Sequence, residues 1–411
     1  MRATSRPRSE RVAGRGAHPP FQVRRGGFTL VELLVTILVI GILSGLVFGA
    51  LQRAGSVSRV VHTKSTIAKL NASLMDRWDS YRTRRLPVDP LIILANIKAN
   101  AGGTYQILQN RISAMSARRI AASGGSLNTY PTQPFDPLSV PWNATPTVIN
   151  GNTVQVYPNA QLAAAVRVLG MREIIRYEMP QHFDDFVDFS TSGPWGLRQT
   201  EVLPVPPPVA TTYLAQVNAA FQAGATKAQI LSNDSAECLY MILTIGSTDS
   251  GMFGEQMPNQ DVGDVDGDGL PEFQDAWPVM LNSFTPIGQA NSPINFLRWA
   301  PGFVSDLQPD PAFPNVTEFS ASHHDFFDPL KLDIPDGSSP LPRGFQLTPL
   351  IYSAGPDGVW DINQNVDTTP PAAPKIADPY ATDASGILPG VAGPAASDNL
   401  TNHELDTRTG R

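Results

Sequence analysis

Asp264, Asp266 and Asp268 alternate in the stretch DVDGDGLPEFQD (264–275), a pattern suited to holding a cation. Along twelve positions the three carboxylates fall at 1, 3 and 5. Gly269 falls at the sharp turn at 6, the Leu270 carbonyl at 7 and Asp275 at 12. Hard oxygen ligands surround Ca2+ with this spacing in a calcium-type loop. Position 12 is Asp rather than the longer Glu, and Pro271 and Pro278 discourage an exiting helix, so the loop is expected between strands. An Asp-Gly turn without an ion uses the same residue types. A second acid with chemical meaning is Glu32, the one ionisable side chain between Phe28 and Leu51. A carboxylate in an apolar run is costly unless it finds a partner or reaches the membrane interface. His182 with Asp184 and Asp185, and His323-His324-Asp325, have metal-ligating residue types but read as solvated loops. The single cysteine, Cys238, lies in the apolar run AECLYMIL and reads as a buried structural thiol.

The elements that must position these groups follow from hydropathy and periodicity. Phe28 to Leu51 would span roughly 36 Å as a helix, enough to cross a bilayer core. Residues 1–27 hold seven arginines and one acid, Glu10, the composition of a cytoplasmic flank. The chain as a whole is acidic, with a net charge of −7, which argues against general nucleic-acid binding. Gly41, Gly45 and Gly49 fall on one helix face, either as a packing seam or as ordinary small residues. Val57, Val60, Val61, Ile67, Leu70, Leu74, Trp78 and Tyr81 recur at three- and four-residue steps. They extend the helix as an amphipathic stretch over 52–85, about 75–80 Å in all, until Pro87 and Pro90 stop it. Further on, PTVINGNTVQVY (146–157) predicts a hairpin turning on Asn150-Gly151. Helices are expected after Asn159, near 211–223 and near 234–244, with LPVPPP (203–208) as a stiff linker. Sparse charge, at 16%, with 38 prolines and 33 glycines favours a loop-rich α+β body.

The run Gly26-Gly27-Phe28-Thr29-Leu30-Val31-Glu32-Leu33-Leu34 resembles the type IV prepilin signal shared by pilins and type II secretion pseudopilins. The resemblance implies cleavage between Gly27 and Phe28 by a membrane prepilin peptidase, and N-methylation of the new Phe28 amine. It also implies that Glu32 serves assembly, neutralising the Phe28 ammonium of a neighbouring subunit. Asp275-Ala276-Trp277, Asn295-Phe296-Leu297-Arg298-Trp299 and IYSAGPDGVWD (351–361) are similar to the C-terminal sheet of the major pseudopilins. That likeness implies calcium in this region, with Asp357, Asp361 and Asn363 as further ligands.

The expected architecture is therefore α+β, with a long membrane-spanning N-terminal helix running into a pilin-like head. The head would carry a small antiparallel sheet, a large mixed insertion and a calcium-type loop. The boundaries read as a leader at 1–27, an assembly helix at 28–51 and its amphipathic continuation at 52–85. An insertion follows at 86–235, then a pseudopilin-like region at 236–365 and a poorly ordered tail at 366–411. The expected function is a structural, non-catalytic filament subunit of the inner membrane, with its head periplasmic or extracellular. Its partners would be the prepilin peptidase and other pilin or pseudopilin subunits. Two alternatives use the same signal: a type IV pilin for adhesion, motility or DNA uptake, and a membrane-tethered binding domain or enzyme.

Overall fold

The computed structural model describes residues 29–86, 147–149, 152–154, 160–246, 257–282, 285–305, 307, 325–327, 346–364, 379, 383 and 385–405. The chain divides into two compact units, Met1–Ser56 and Val57–Arg411. A long apolar helix, α1 (Leu30–Thr83), opens the described chain and is followed by a globular region with small antiparallel sheets. Among the described residues it is the one helix long and apolar enough to cross a membrane.

In the first unit every side chain of α1 from Leu30 to Ser56 is exposed, including Leu30, Leu38, Leu46 and Phe48. Cβ atoms added at Gly41, Gly45 and Gly49 would meet nothing. The helix start is chemically closed. Thr29 Oγ1 accepts the Glu32 N–H at 3.2 Å, and the Glu32 carboxylate accepts the Thr29 N–H at 2.9 Å and its hydroxyl at 3.0 Å. This reciprocal capping box satisfies donors that every helix start leaves open.

The second unit is built around the rest of α1. Thr63, Thr66, Ile67, Leu70, Leu74, Trp78 and Tyr81 are buried, a three–four stripe along one face. Val57 and Val61, expected on that stripe, are exposed, and Val60 is only partly covered, so docking begins near Thr63. Three further helices follow: α2 (Ala160–Glu178), α3 (Pro208–Ala223) and, after the short α4 (Lys227–Ile230), α5 (Asp234–Thr244); α2 and α5 pack on the stripe. Pro208 starts α3 at its first position, where its missing N–H costs nothing, so the proline run is a helix entry as well as a linker.

The strands are short except for one hairpin. β1 (Thr147–Ile149) faces β2 (Asn152–Val154), with Ile149 opposite Asn152, which leaves Asn150-Gly151 as the connection. β3 (Val187–Asp188) pairs with β4 (Gly196–Leu197). β5 (Val262–Gly263), β6 (Glu272–Asn282) and β7 (Thr285–Pro293) form an antiparallel sheet in that order. β8 (Asn295–Leu297), β9 (Leu350–Ser353) and β10 (Leu400–Thr401) form another, with β9 central.

One apolar core joins α1 to α2, α5, β6, β8 and β9, and a second holds α3 and Val187 of β3. Ile67, Leu74 and Trp78 of α1 meet Ile174 and Ile175 of α2, Leu239 and Ile242 of α5, Phe273 of β6, Phe296 of β8 and Ile351 of β9. Each large side chain buried here contributes about 1.5–3 kcal/mol. The segment expected as an insertion contributes Met171, Ile174, Ile175 and Leu203 to the first core. The 366–411 tail expectation fails for 385–405: Leu388 and Leu400 are buried and Thr401 pairs with Tyr352, apolar anchors outweighing the polar composition. Pro87, Pro90 and most of 86–159 lie outside the described residues.

Candidate functional site

The acidic loop lies between strands. Gly263 pairs with Glu272 across the β5–β6 ladder, so residues 264–271 close on themselves. Asp264 makes that closure: its carboxylate accepts the N–H groups of Gly267 at 2.7 Å, Asp268 at 3.1 Å and Gly269 at 3.0 Å. Gly267 and Gly269 hold φ of +77° and +93°, where a Cβ would be strained. The compact turn brings Asp266 and Asp268 toward the first turn of α5. There Glu237 is 0% exposed, and neither of its carboxylate oxygens has a hydrogen-bond partner. Carboxylate oxygens of Glu237, Asp266 and Asp268 lie within 4.8 Å of one another. Asp266 also accepts the Asn233 side-chain amide at 3.3 Å, and Asp268 the Leu270 N–H at 2.7 Å. Each of the two keeps one oxygen without a partner. Glu272, at the start of β6, accepts the Val265 N–H at 2.7 Å and leaves its second oxygen free.

The electrostatics follow from burial and like charge. Burial, reinforced by Asp268 and Asp266, pushes the Glu237 carboxyl up to about 11. Glu272 is pushed up to about 8 by burial and the neighbouring aspartates, and Asp268 to about 6 for the same reasons. Buried carboxylates facing one another repel unless a cation or protons neutralise them. This buried acidic cluster could hold a metal ion. All three ligand groups are carboxylates, which suits hard cations.

Of the residues in the twelve-position reading, the structure brings Asp266 and Asp268 together with Glu237 and gives Asp264 and Asp275 other partners. Asp264 faces the loop amides. Asp275 accepts the Ser353 hydroxyl at 2.6 Å and the Trp277 N–H at 2.8 Å, so it ties β6 to β9. Leu270 is buried in an apolar cluster with Phe183 and Tyr213. Glu237 was missed because it arrives from a helix about thirty residues earlier.

His182 sits in a buried ion pair. His182 Nδ1 lies 2.9 Å from Asp234 Oδ1. Burial would lower His182, but the Asp234 carboxylate raises it to about 9. Asp185 is clasped by Arg298 at 2.7 Å and Arg176 at 3.0 Å. His323 and His324 lie outside the described residues, and Asp325 faces Arg172 at 3.6 Å. Asp357 accepts the Val359 N–H in a local turn, whereas Asp361 accepts the Ala395 N–H and Asn363 donates to Asp383, so the last two brace the C-terminal segment.

At the other end, Gly27 and Phe28 lie outside the described residues, and Glu32 caps α1 as described above. No curated protein and no solved structure matches the chain. Residues 23–48 match the family described as the prokaryotic N-terminal methylation motif. The segment that opens α1 is therefore a prepilin-like N-terminal signal, which implies processing by a prepilin peptidase and anchorage in a membrane.

Proposed function

We propose that the chain is a structural subunit of a type II secretion pseudopilus or type IV pilus-like filament. It is cut after Gly27, N-methylated at Phe28 and assembled through α1. The observation that carries this reading is the methylation motif on a helix that, from Leu30 to Leu51, presents only apolar and small polar side chains around Glu32. Before assembly that surface lies in the inner membrane, with the arginine-rich leader cytoplasmic and the head periplasmic. In the filament the same surface packs against other subunits, and Glu32 meets a neighbour's Phe28 ammonium. A lone carboxylate is unfavourable in that low-dielectric setting and a paired one much less so, which fixes axial register. The role is structural, not catalytic.

Intact-mass analysis of the protein from cells with active peptidase is expected to give a mature chain starting at methylated Phe28. A leader still attached would overturn the reading.

The cation assigned to the head is Ca2+. The all-carboxylate ligand set suits this hard cation, whose flexible coordination accepts oxygens brought in from separate elements. At a hundredfold excess over Kd, Ca2+ is expected to add about 2.7 kcal/mol and to raise Tm by roughly 5–10 °C. Calorimetry of the whole chain in detergent, with Ca2+ and with chelator, measures this. An unchanged Tm removes the assignment.

A further inference from the structure

We infer that Glu237 is the ligand that closes the cation site, so that the ion clamps α5 onto the β5–β6 loop through Glu237, Asp266 and Asp268. This rests on the Ca2+ reading above and adds to it a ligand set that no loop spacing contains. Two independent observations meet here. One is the convergence of three carboxylates from two elements distant in sequence. The other is that Glu237 is fully buried, aimed into that convergence, and has no partner for either oxygen.

The polar neighbours of Glu237 show that it is held for this purpose and not merely enclosed. Asp234 accepts the Phe183 N–H and pairs with His182. Ser235 donates to the Phe296 carbonyl at 2.6 Å and accepts the Phe296 N–H at 3.1 Å. The first turn of α5 is thus fastened on both sides of the chain, and only Glu237 is left without a protein partner in that turn. The charged groups acting on it are carboxylates: Asp268, Asp266, Glu272 and Asp234. No guanidinium or ammonium faces it among these. A fully buried acid in such company needs a positive charge from outside the chain or a proton, and the two answers differ experimentally.

A ligand set split between a helix and a loop also differs in consequence from a self-contained loop. A loop that supplies all its own ligands can load without disturbing its surroundings. Here loading requires α5 and the loop to be in place together. Both are packed on the core that receives α1, since Leu239 and Phe273 lie in the same cluster as Leu70.

The test is isothermal titration of CaCl2 into the whole chain in detergent, comparing Glu237→Gln, Asp266→Asn and Asp275→Asn with the wild type. Glu237→Gln is expected to weaken binding about a hundredfold, and Asp266→Asn at least about tenfold, because Ca2+ affinity follows ligand charge count. Asp275→Asn should stay within about threefold, since its carboxylate is bonded to Ser353. In chelator, Glu237→Gln should melt at or above the wild-type temperature, and added Ca2+ should then give no rise. Wild-type affinity in Glu237→Gln would overturn the inference while leaving the Ca2+ assignment intact, and would mark Glu237 as a protonated acid. A wild type that binds no Ca2+ overturns both. Should Glu237→Gln fail to fold, the other two variants decide: equal losses from Asp266→Asn and Asp275→Asn would restore the self-contained loop and overturn the clamp.

Discussion

Asp185→Asn is expected to lower the stability of the head by about 3–5 kcal/mol, the cost of leaving a buried charge without its partner. Asp185 stands between two buried guanidiniums: Arg298 is 2.7 Å from one oxygen and Arg176 3.0 Å from the other. It also accepts the Gln181 N–H at 2.7 Å. Arg176 also reaches Glu201 at 3.4 Å, and Arg298 the Met179 carbonyl at 3.0 Å, so the substitution removes the carboxylate that bridges two buried cations from different elements. Burial would raise the Asp185 carboxyl, but Arg298 and Arg176 hold it well below the usual range. The depressed value fixes the sign of the pH effect. The stabilisation is complete above the unfolded value of about 3.9 and is lost as pH falls through the folded value. The gap between wild type and Asp185→Asn should therefore be constant above about pH 5 and narrow below about pH 4. Asp79→Ala, which breaks an exposed pair with Arg82, should cost less than about 1 kcal/mol. Chemical denaturation followed by near-UV circular dichroism measures both. A loss below about 1 kcal/mol for Asp185→Asn would show that the ion cluster contributes nothing specific.

The second large effect is on assembly. Glu32→Gln is expected to leave cleavage at Gly27 intact and to reduce incorporation into sheared filaments by about a hundredfold or more. The glutamine is the informative substitution because Glu32 has two roles. Its carboxylate completes the capping box with Thr29, and a glutamine at the same place can still do that. Glu32→Ala removes the cap as well, worth about 1 kcal/mol of helix stability. Quantitative blotting of sheared and membrane fractions separates the roles. Equal defects in the two variants point to the charge, and a defect in alanine alone would assign Glu32 to the cap and defeat the intersubunit pair.

Both informative carboxylates shared one signature in the sequence, a lone acid inside an apolar run. For Glu32 that signature sat within a longer motif, so its meaning was legible. Glu237 sits in AECLYMIL, where the cysteine drew attention and the glutamate carried the chemistry. Spacing alone found Asp266 and Asp268 because they lie two residues apart on one turn. It did not show the partners that Asp264 and Asp275 take, three loop amides in one case and a hydroxyl and an amide in the other. The α1 stripe was legible from Ile67 to Tyr81 by its period. Its beginning was not, because Val57 and Val61 keep the period and yet have nothing to pack against. Composition suggested no order for 385–405, since a few anchors such as Leu388, Leu400 and His403 decide that segment and percentages do not register them.

Asn402 donates to Asn71 on α1 at 2.8 Å and to the Pro349 carbonyl at 2.9 Å, and it accepts the Ile351 N–H at 2.8 Å. One side chain therefore bonds both to the helix and to the central strand β9, across 331 residues of chain in the first case. This sets an order in time. Residues 63–81 leave the ribosome early, but the surface that receives them is unfinished until residue 402 has been made. At 5–20 residues per second, that interval is on the order of 15–65 s. Throughout it the buried face of α1 is exposed, and the strand edge at β9 joins it only late, once Leu350–Ser353 has been made. Whatever chaperones this chain must act over that window, and a pause late in translation would lengthen it.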